Sequence, residues 1–274
     1  VKGRKIKIGF IGGGNMGEAI ISAILRKKLL PRTQIGLHEP DQMRLQKIKR
    51  KHKILSFPSN AELVQASQTV LLAVKPQQMA EVLNEIAPHL RKDHLILSIA
   101  AGLDTGYFQK RLPPATRLIR IMPNLCAMIG EGAAALYATP AARPKDRSFA
   151  LKLFSAAGRA VFVDREELLD TVTAVSGSGP AFVFLFIDAL IEAGERQKLP
   201  MELGKTLVLQ TLLGATKMAE GSREPIGTMI ERVASKGGTT EAGLQVMNGR
   251  DFRRLIQETI DAAVRRAREL RQVS

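Results

Sequence analysis

The stretch Ile6-Lys-Ile-Gly-Phe-Ile-Gly-Gly-Gly-Asn-Met-Gly17 constrains the fold more than any other segment. A β-rich apolar run, Ile6–Ile11, passes directly into G-x-G-x-x-G, carried by Gly12, Gly14 and Gly17. The helix-like stretch Asn15–Lys28 opens at once behind it. Alone the glycine pattern is weak, and a flexible turn would satisfy it. Between a strand and a helix it becomes specific for a dinucleotide. Gly12 allows the tight turn, Gly14 lets backbone approach a pyrophosphate, and Gly17 lets the helix pack close to the strand. Free N–H groups at the helix start then bind the phosphates.

The segments that follow fit this reading. Strand-like runs at Gln34–His38, Thr69–Val74, His94–Ile99 and Arg117–Ile121 alternate with helical patterns at Met43–Lys51, Gln77–Pro88 and Leu103–Leu112. Such alternation means βαβ units and a parallel sheet. Thr69–Val74 is continuously apolar, as a strand covered on both faces should be. Past Asp164 only helices are expected: Pro180–Gln197, Met201–Ala219, Pro225–Val233, Thr239–Asn248 and Asp251–Gln272. In the last, Phe252, Leu255, Ile256, Ala263, Val264, Ala267 and Leu270 keep the spacing of one buried face. The expected class is α/β: an N-terminal Rossmann-type doubly wound sheet over residues 1–165, then an all-α domain over 166–274. A chain of 274 residues suits two such domains.

The charge suggests something else. Against 26 acidic residues stand 41 Lys and Arg, a net charge of +15, which invites a nucleic-acid reading. Yet aromatics are 4% and Trp is absent, so the chain lacks a stacking platform. The basic runs Arg44–Lys53 and Arg265–Arg271 read as solvated helix faces, and no nucleic-acid partner is expected. A single cysteine, Cys126, excludes an internal disulfide framework and fits a reducing, cytoplasmic setting. Four scattered histidines leave no metal site to expect. The start Val1–Ile6 resembles the charged region of a secretory leader, but glycines break the apolar stretch behind it. Ala181–Ile187 meets Asp188 and falls short of the roughly 20 apolar residues that span a bilayer. It reads as a buried helix, with no membrane partner.

Further candidates sit at strand ends and helix starts. Glu39 ends the second strand, where a carboxylate accepts bonds from a ribose 2′-OH and repels a 2′-phosphate. It favours NADH, whereas the run Arg44–Lys53 could attract the phosphate of NADPH. Val74-Lys75-Pro76, Ser98–Gly102 and Met122–Asn124 end strands facing the cofactor crevice. Ser176-Gly-Ser-Gly-Pro-Ala181 reads as a Gly/Ser turn with Pro180 in the first turn of the next helix. Ser235-Lys-Gly-Gly-Thr-Thr240 is a glycine turn before another helix, with Thr239 or Thr240 suited to its N-cap. Such a turn can hold a small anion or merely cap a helix. No Ser/His/Asp arrangement, H-E-x-x-H or paired carboxylates occur. The chemistry should therefore need little proton handling by the protein, as in hydride transfer to an already protonated electrophile.

Together these motifs resemble the pyrroline-5-carboxylate reductases over essentially the whole chain. The resemblance rests on Ile8–Gly17, Ala73–Pro76, Ser98–Gly102, Arg120–Asn124, Val175–Ala181, Leu212–Met218 and, most specifically, Ser235–Thr240. It implies reduction of the cyclic imine 1-pyrroline-5-carboxylate to L-proline by NADPH or NADH, without metal. By the same resemblance Gly12, Gly14, Asn15 and Met16 form the pyrophosphate loop. Lys75, Pro76, Ala100 and Asn124 line the cofactor pocket, to which the strand-end positions of Glu39 and Val74 add those two residues. Ser235, Gly237, Gly238, Thr239 and Thr240 hold the substrate carboxylate. Thr240 is the hydroxyl near the imine nitrogen, and Ser235 and Thr240 are the catalytic candidates. A homodimer through the helical domain is implied, sometimes built up to a decamer.

Three residues depart from the family pattern. Lys236 stands where many members have Pro, Phe182 where Tyr is common, and Glu39 where a small hydroxyl residue is usual. The last leads us to expect NADH to be at least competitive with NADPH. Two rival readings remain. A β-hydroxyacid dehydrogenase shares the architecture but needs a Lys on the first long helix of the second domain, and Pro180–Gln197 has none. A basic NAD-sensing or nucleic-acid-binding protein would show salt-sensitive DNA binding.

Overall fold

The structure is a computed structural model that describes residues 6–272. Val1–Lys5, the start of the leader-like segment, lies outside the described residues. The elements are β1 (Ile6–Ile11), α1 (Asn15–Arg26), β2 (Ile35–His38), α2 (Gln42–His52), β3 (Leu55–Ser56), α3 (Asn60–Ala66) and β4 (Ser67–Leu72). Next come α4 (Met79–Ile86), β5 (Leu95–Ser98), α5 (Thr105–Gln109), β6 (Arg117–Pro123), β7 (Gly132–Ala138), α6 (Pro144–Ser155) and β8 (Gly158–Phe162). The rest is helical: α7 (Leu168–Val172), α8 (Gly179–Arg196), α9 (Met201–Gly221), α10 (Ile226–Val233), α11 (Thr239–Gly249) and α12 (Phe252–Gln272).

The strands form one sheet in the order β3-β2-β1-β4-β5-β6-β7-β8. Every neighbouring pair is parallel except β6 and β7, which run antiparallel. The sheet is thus mixed, where wholly parallel strands were expected. The strand order reverses direction between β1 and β4, the switch point where an open α/β sheet leaves its crevice. Ile11 pairs there with both His38 and Leu72. Gly12, Glu39 and Ala73, each following a strand end, therefore emerge on one edge.

Both faces of the sheet are covered. Along β4, Leu71 packs into one core with Ile20, Ile21 and Ile24 of α1. Its neighbours Val70 and Leu72 pack into the other, with Leu63, Met79, Leu83 and Phe108. This is the period-2 alternation of a strand. Each such side chain stabilises the fold by roughly 1.5–3 kcal/mol when buried. On α2 only Leu45, Ile48 and His52 are buried, so its basic residues do face water.

Polar groups anchor the opposite edge of the sheet. Arg117 opens β6, and its Nη1 donates to both carboxylate oxygens of Asp146 at 2.8 Å. Its Nε donates to the carbonyl of His94, and its Nη2 to that of Asp93. Both members of the pair are buried. His94 is itself buried, and its Nε2 lies 3.0 Å from the Ser67 carbonyl. Burial, assisted by the charge of Arg91, holds its pKa below the usual 6.5, although the Ser67 and Val64 carbonyls and Asp93 oppose this. The unfolded chain therefore binds a proton that the folded one refuses. Stability from this group is complete above about pH 6.5 and falls as the pH drops toward the folded pKa. Melting temperatures between pH 7.5 and 5.5 should fall, and His94→Gln should flatten that slope. An unchanged slope would remove His94 as its source.

The chain divides into two compact units. One runs up to Ser178 and takes in the chain again from Ala263, and the other is Gly179–Ala262. In the first, Val264 and Ala267 of α12 are buried. The rest of the expected α12 face is not, since Leu255, Ile256 and Leu270 are exposed. The expected turn at Ser176–Ala181 is also absent. Thr173–Gly177 forms a π-turn, closed by Ser178 N–H to the Thr173 carbonyl at 2.8 Å, and the helix continues through it. Pro180 follows where the regular ladder is already interrupted, so its missing donor and ring bulk are accommodated.

As a result Leu168–Arg196 is one helix, long and apolar enough by length and composition alone to cross a membrane. The expectation of a short apolar block overlooked the residues before Ala181. Nor is α8 buried: no residue in it is, and Val183, Phe184 and Leu185 are exposed. Leu203, Leu207, Leu213 and Val246 of the same unit are exposed too. On α8 the four consecutive residues Val183, Phe184, Leu185 and Phe186 are exposed, and an apolar run of this kind marks an interaction face.

Candidate functional site

The glycine loop has the geometry the sequence anticipates. Gly12 adopts φ +96°, and a Cβ there would stand 2.8 Å from the Ala73 carbonyl oxygen. A side chain is therefore excluded twice, by dihedral and by space. A Cβ on Gly17 would stand 2.8 Å from the Gly12 oxygen, which explains the close approach of α1 to β1. A Cβ on Gly14 would meet nothing within 4 Å, so its backbone is open to a ligand. The first helical bond runs from Glu18 N–H to the Gly14 carbonyl. The N–H groups of Asn15, Met16 and Gly17 thus have no intrahelical partner.

A crevice of about 380 Å³ opens beside this loop. It brings together Gly12, Gly14, Glu39, Val74 and Lys75, all candidates from the sequence. Lys75 is exposed and precedes a 3-10 turn that Pro76 begins. The crevice also contains Arg44, the first residue of the basic run Arg44–Lys53, and Asn60, which sequence reasoning did not single out. Asn60 is buried, and its Nδ2 donates to Glu85 at 2.7 Å. Its Oδ1 is buried without a hydrogen-bond partner, an orphaned acceptor on a ligand-sized cleft. Open backbone at Gly14, free helix-start N–H groups and this acceptor fit a dinucleotide.

Glu39 is not a free ribose acceptor. It is buried, and its Oε2 accepts the Gly13 N–H at 2.7 Å while Oε1 accepts the Asp41 N–H at 3.0 Å. Arg44 Nη1 lies 3.4 Å from Oε2. The carboxylate braces the phosphate loop, and Arg44 places a partly exposed cation at the same corner.

Three pocket candidates are not among the residues lining this crevice: Pro76, Ala100 and Asn124. Ala100 lines a separate small cavity with Arg120, Met122, Leu169 and Leu270. Arg120 is paired there with Glu166, which also accepts from the N–H and hydroxyl of Thr105. Asn124 uses its side chain structurally. Its Oδ1 accepts the Ala133 N–H at 3.0 Å, and its Nδ2 stands 3.4 Å from Ser176 Oγ.

The loop Ser235–Thr240 belongs to the second unit. Gly237 takes φ +71°, and the Gly238 N–H closes a turn on the Ser235 carbonyl at 3.0 Å. Gly238, not either threonine, is the N-cap of α11. The threonines fall inside the helix because the glycine's extended backbone already makes the entry, with Ala242 N–H bonding to its carbonyl. The N–H groups of Thr239, Thr240 and Glu241 are thus left without intrahelical partners. Neither threonine hydroxyl is consumed by capping. Glu241 accepts the Gly237 N–H at 2.6 Å and so fixes the loop, a role the sequence signals only by its place in the helix's first turn. Ser235, Lys236 and Thr239 are exposed, and Thr240 is half-buried. The loop can hold a small anion by backbone donors, hydroxyls and the positive end of a helix dipole. Among the described residues no group of His, Cys, Asp and Glu could hold a metal ion.

Comparison with known proteins follows this division. Residues 166–270 match the family model for pyrroline-5-carboxylate reductase dimerisation. Residues 7–102 match that for coenzyme F420-dependent NADP oxidoreductase. The pyrroline-5-carboxylate reductase of Pseudomonas aeruginosa is 39% identical over 264 residues, covering 96% of each chain. Among solved structures, a pyrroline-5-carboxylate reductase from Coxiella burnetii superposes with a TM-score of 0.92 at 33% identity, covering 97% of this chain and 99% of the other. One from Plasmodium falciparum, solved with NADP bound, gives 0.87 at 30% identity, covering 98% of this chain and 100% of the other.

Proposed function

The chain belongs to the pyrroline-5-carboxylate reductase family, and we propose on that premise how its residues divide the work. The protein is an NAD(P)H-dependent oxidoreductase that reduces 1-pyrroline-5-carboxylate to L-proline, a step of proline biosynthesis, and it forms a homodimer. The observation that carries this reading is likeness over 96% of the chain at 39% identity. The glycine loop and crevice described above support it. Residues 1–165 bind the dinucleotide, and 166–274 provide the substrate loop and dimer face.

Bound NAD(P)H supplies the hydride, which the C=N carbon of the protonated imine accepts. The residues position and neutralise. Gly12, Gly14, Asn15 and Met16 cradle the pyrophosphate with backbone N–H groups. Val74 and Lys75 border the crevice, Pro76 starts the turn that follows Lys75, Asn60 offers its unpaired Oδ1 to the ribose side, and Ala100 and Asn124 keep the strand ends in place. The N–H groups of Thr239 and Thr240, with Ser235, Gly237 and Gly238, hold the substrate carboxylate. The Thr240 hydroxyl orients the imine nitrogen, so Thr240 and Ser235 are the catalytic candidates. No side chain has to remove a proton from carbon. Thr240→Val should lower kcat about 10–100-fold, the value of a hydrogen bond to a charged group, while the Kd for NADPH stays unchanged. A kcat within twofold of the parent would remove Thr240 from the site.

Glu39 and Arg44 set the nucleotide preference between them. The Glu39 charge disfavours a 2′-phosphate and Arg44 offsets it, so NADH remains at least competitive with NADPH. Cofactor oxidation with 1-pyrroline-5-carboxylate, run with each nucleotide, tests both claims. Turnover is expected with both. No turnover with either would defeat the function, and a kcat/KM for NADPH far above that for NADH would defeat the preference.

The reading extends to a cytoplasmic enzyme with no nucleic-acid or membrane partner, whose dimers can build up to a decamer. For the apolar helix Leu168–Arg196, its place in the segment matching the dimerisation model supports a partner subunit as its cover.

A further inference from the structure

At the N-terminal edge of the sheet, opposite the cofactor crevice, lies a larger cavity of about 570 Å³. It is bordered by the first residues of four parallel strands: Lys7 in β1, Ser67 and Thr69 in β4, Leu95 in β5 and Arg117 in β6. Arg143, Lys145 and Asp146, at the start of α6, complete one wall. None of the residues lining it borders the crevice.

The charges around this cavity do not balance. Asp146 is spent on Arg117 in the buried bidentate pair. Asp93 is spent on Arg91 at 3.2 Å, and the remaining Arg91 donors go to the carbonyls of Gln65 and Ser67. Lys7, Arg143 and Lys145 are left without a carboxylate within ion-pair distance among the described residues. The Lys7 Nζ donates only to the neutral Gln68 amide at 3.1 Å, above the Phe149 ring. Three uncompensated cations on one concave surface repel each other and concentrate field lines within it. A compact anion with several charge-bearing oxygens relieves that repulsion and can accept charge-assisted bonds from each of them.

We propose that this cavity is a binding site for a small polyphosphate anion, separate from the dinucleotide and substrate sites. The floor is rigid, because Arg117 and Arg91 are fixed by their own partners. The variable donors are the long side chains of Lys7, Arg143 and Lys145, which can close on ligands of differing length. The Thr69 hydroxyl and Gln68 amide add neutral hydrogen-bonding groups to the wall.

Isothermal titration of the full chain with inorganic tripolyphosphate, in low salt and with saturating NADP⁺ to fill the crevice, tests this. One binding event per chain is expected, weakening as salt is added. Lys145→Glu and Arg143→Gln should each lower the affinity about tenfold or more, with unchanged melting temperature and unchanged Kd for NADPH. Lys7→Gln provides a third arm on a different element. Absence of binding once NADP⁺ is present would assign the anion to the cofactor crevice and overturn the proposal. Binding that none of the three substitutions weakens would overturn it equally.

Discussion

Leu185→Glu should turn the dimer into a monomer in sedimentation experiments and abolish turnover. Leu185 is 68% exposed in the single chain, within the apolar run Ala181–Ile187 of α8. A dimer with two-fold symmetry buries the same patch on both subunits. One substitution then places two carboxylates in the interface, each costing several kcal/mol to desolvate without a partner. Taken together these weaken association by at least about 10⁴-fold, at roughly 1.4 kcal/mol per factor of ten. Met43→Glu is the control. Met43 is even more exposed, at 85%, but lies on α2 in the other unit and outside the segment matching the dimerisation model. That variant should remain dimeric and active. A dimeric, active Leu185→Glu protein would show that α8 is not the contact face.

The second large effect concerns stability. Asp146→Ala should cost about 3–5 kcal/mol, because it strands the Arg117 guanidinium in the interior with its charge uncompensated. The loss is compounded at α6, since Asp146 also accepts the Arg143 N–H at 2.9 Å. At the few degrees per kcal/mol typical of units this size, the melting temperature should drop by about 10 °C. The double variant Arg117→Met with Asp146→Leu removes both charges and should recover most of the loss, since a buried pair gains little over apolar packing. A single variant that melts within about 2 °C of the parent would mean that water reaches Arg117.

How far the sequence disclosed all this depended on residue type. The phosphate loop was legible because Gly12 and Gly17 occupy places where a Cβ has no room, and steric demands of that kind leave a local trace. β7 left none. Its sequence, Gly-Ala-Ala-Ala-Leu-Tyr-Ala, has helix-forming composition, and it is a strand only through pairing with β6 and β8. β3 and β8 are short and similarly depend on their neighbours. Two helices did carry readable signals. Ser59 caps α3 by accepting the N–H of Glu62, three residues on and just before the apolar pair Leu63-Val64. Pro144 opens α6 at its first position. Glu39 was read at the right place, but no sequence pattern tells that its carboxylate also accepts the Gly13 N–H. The apolar block of α8 was read as buried, and within one chain it is not, because apolar composition reports that a face is covered without saying by which molecule.

The return of the chain to its first unit at Ala263 has a consequence for synthesis. Chains leave the ribosome from the N-terminus, and domains ordinarily fold in that order. Here the glycine loop is made early, but Val264 and Ala267, which are buried in that unit, are made only after Gly179–Ala262. A Cβ on Gly102 would stand 3.4 Å from Leu270, so the closing segment docks directly against backbone laid down long before. A nascent chain can therefore assemble the sheet while its final contacts are still awaiting translation. Completion of the unit therefore waits until the whole of Gly179–Ala262 has been made.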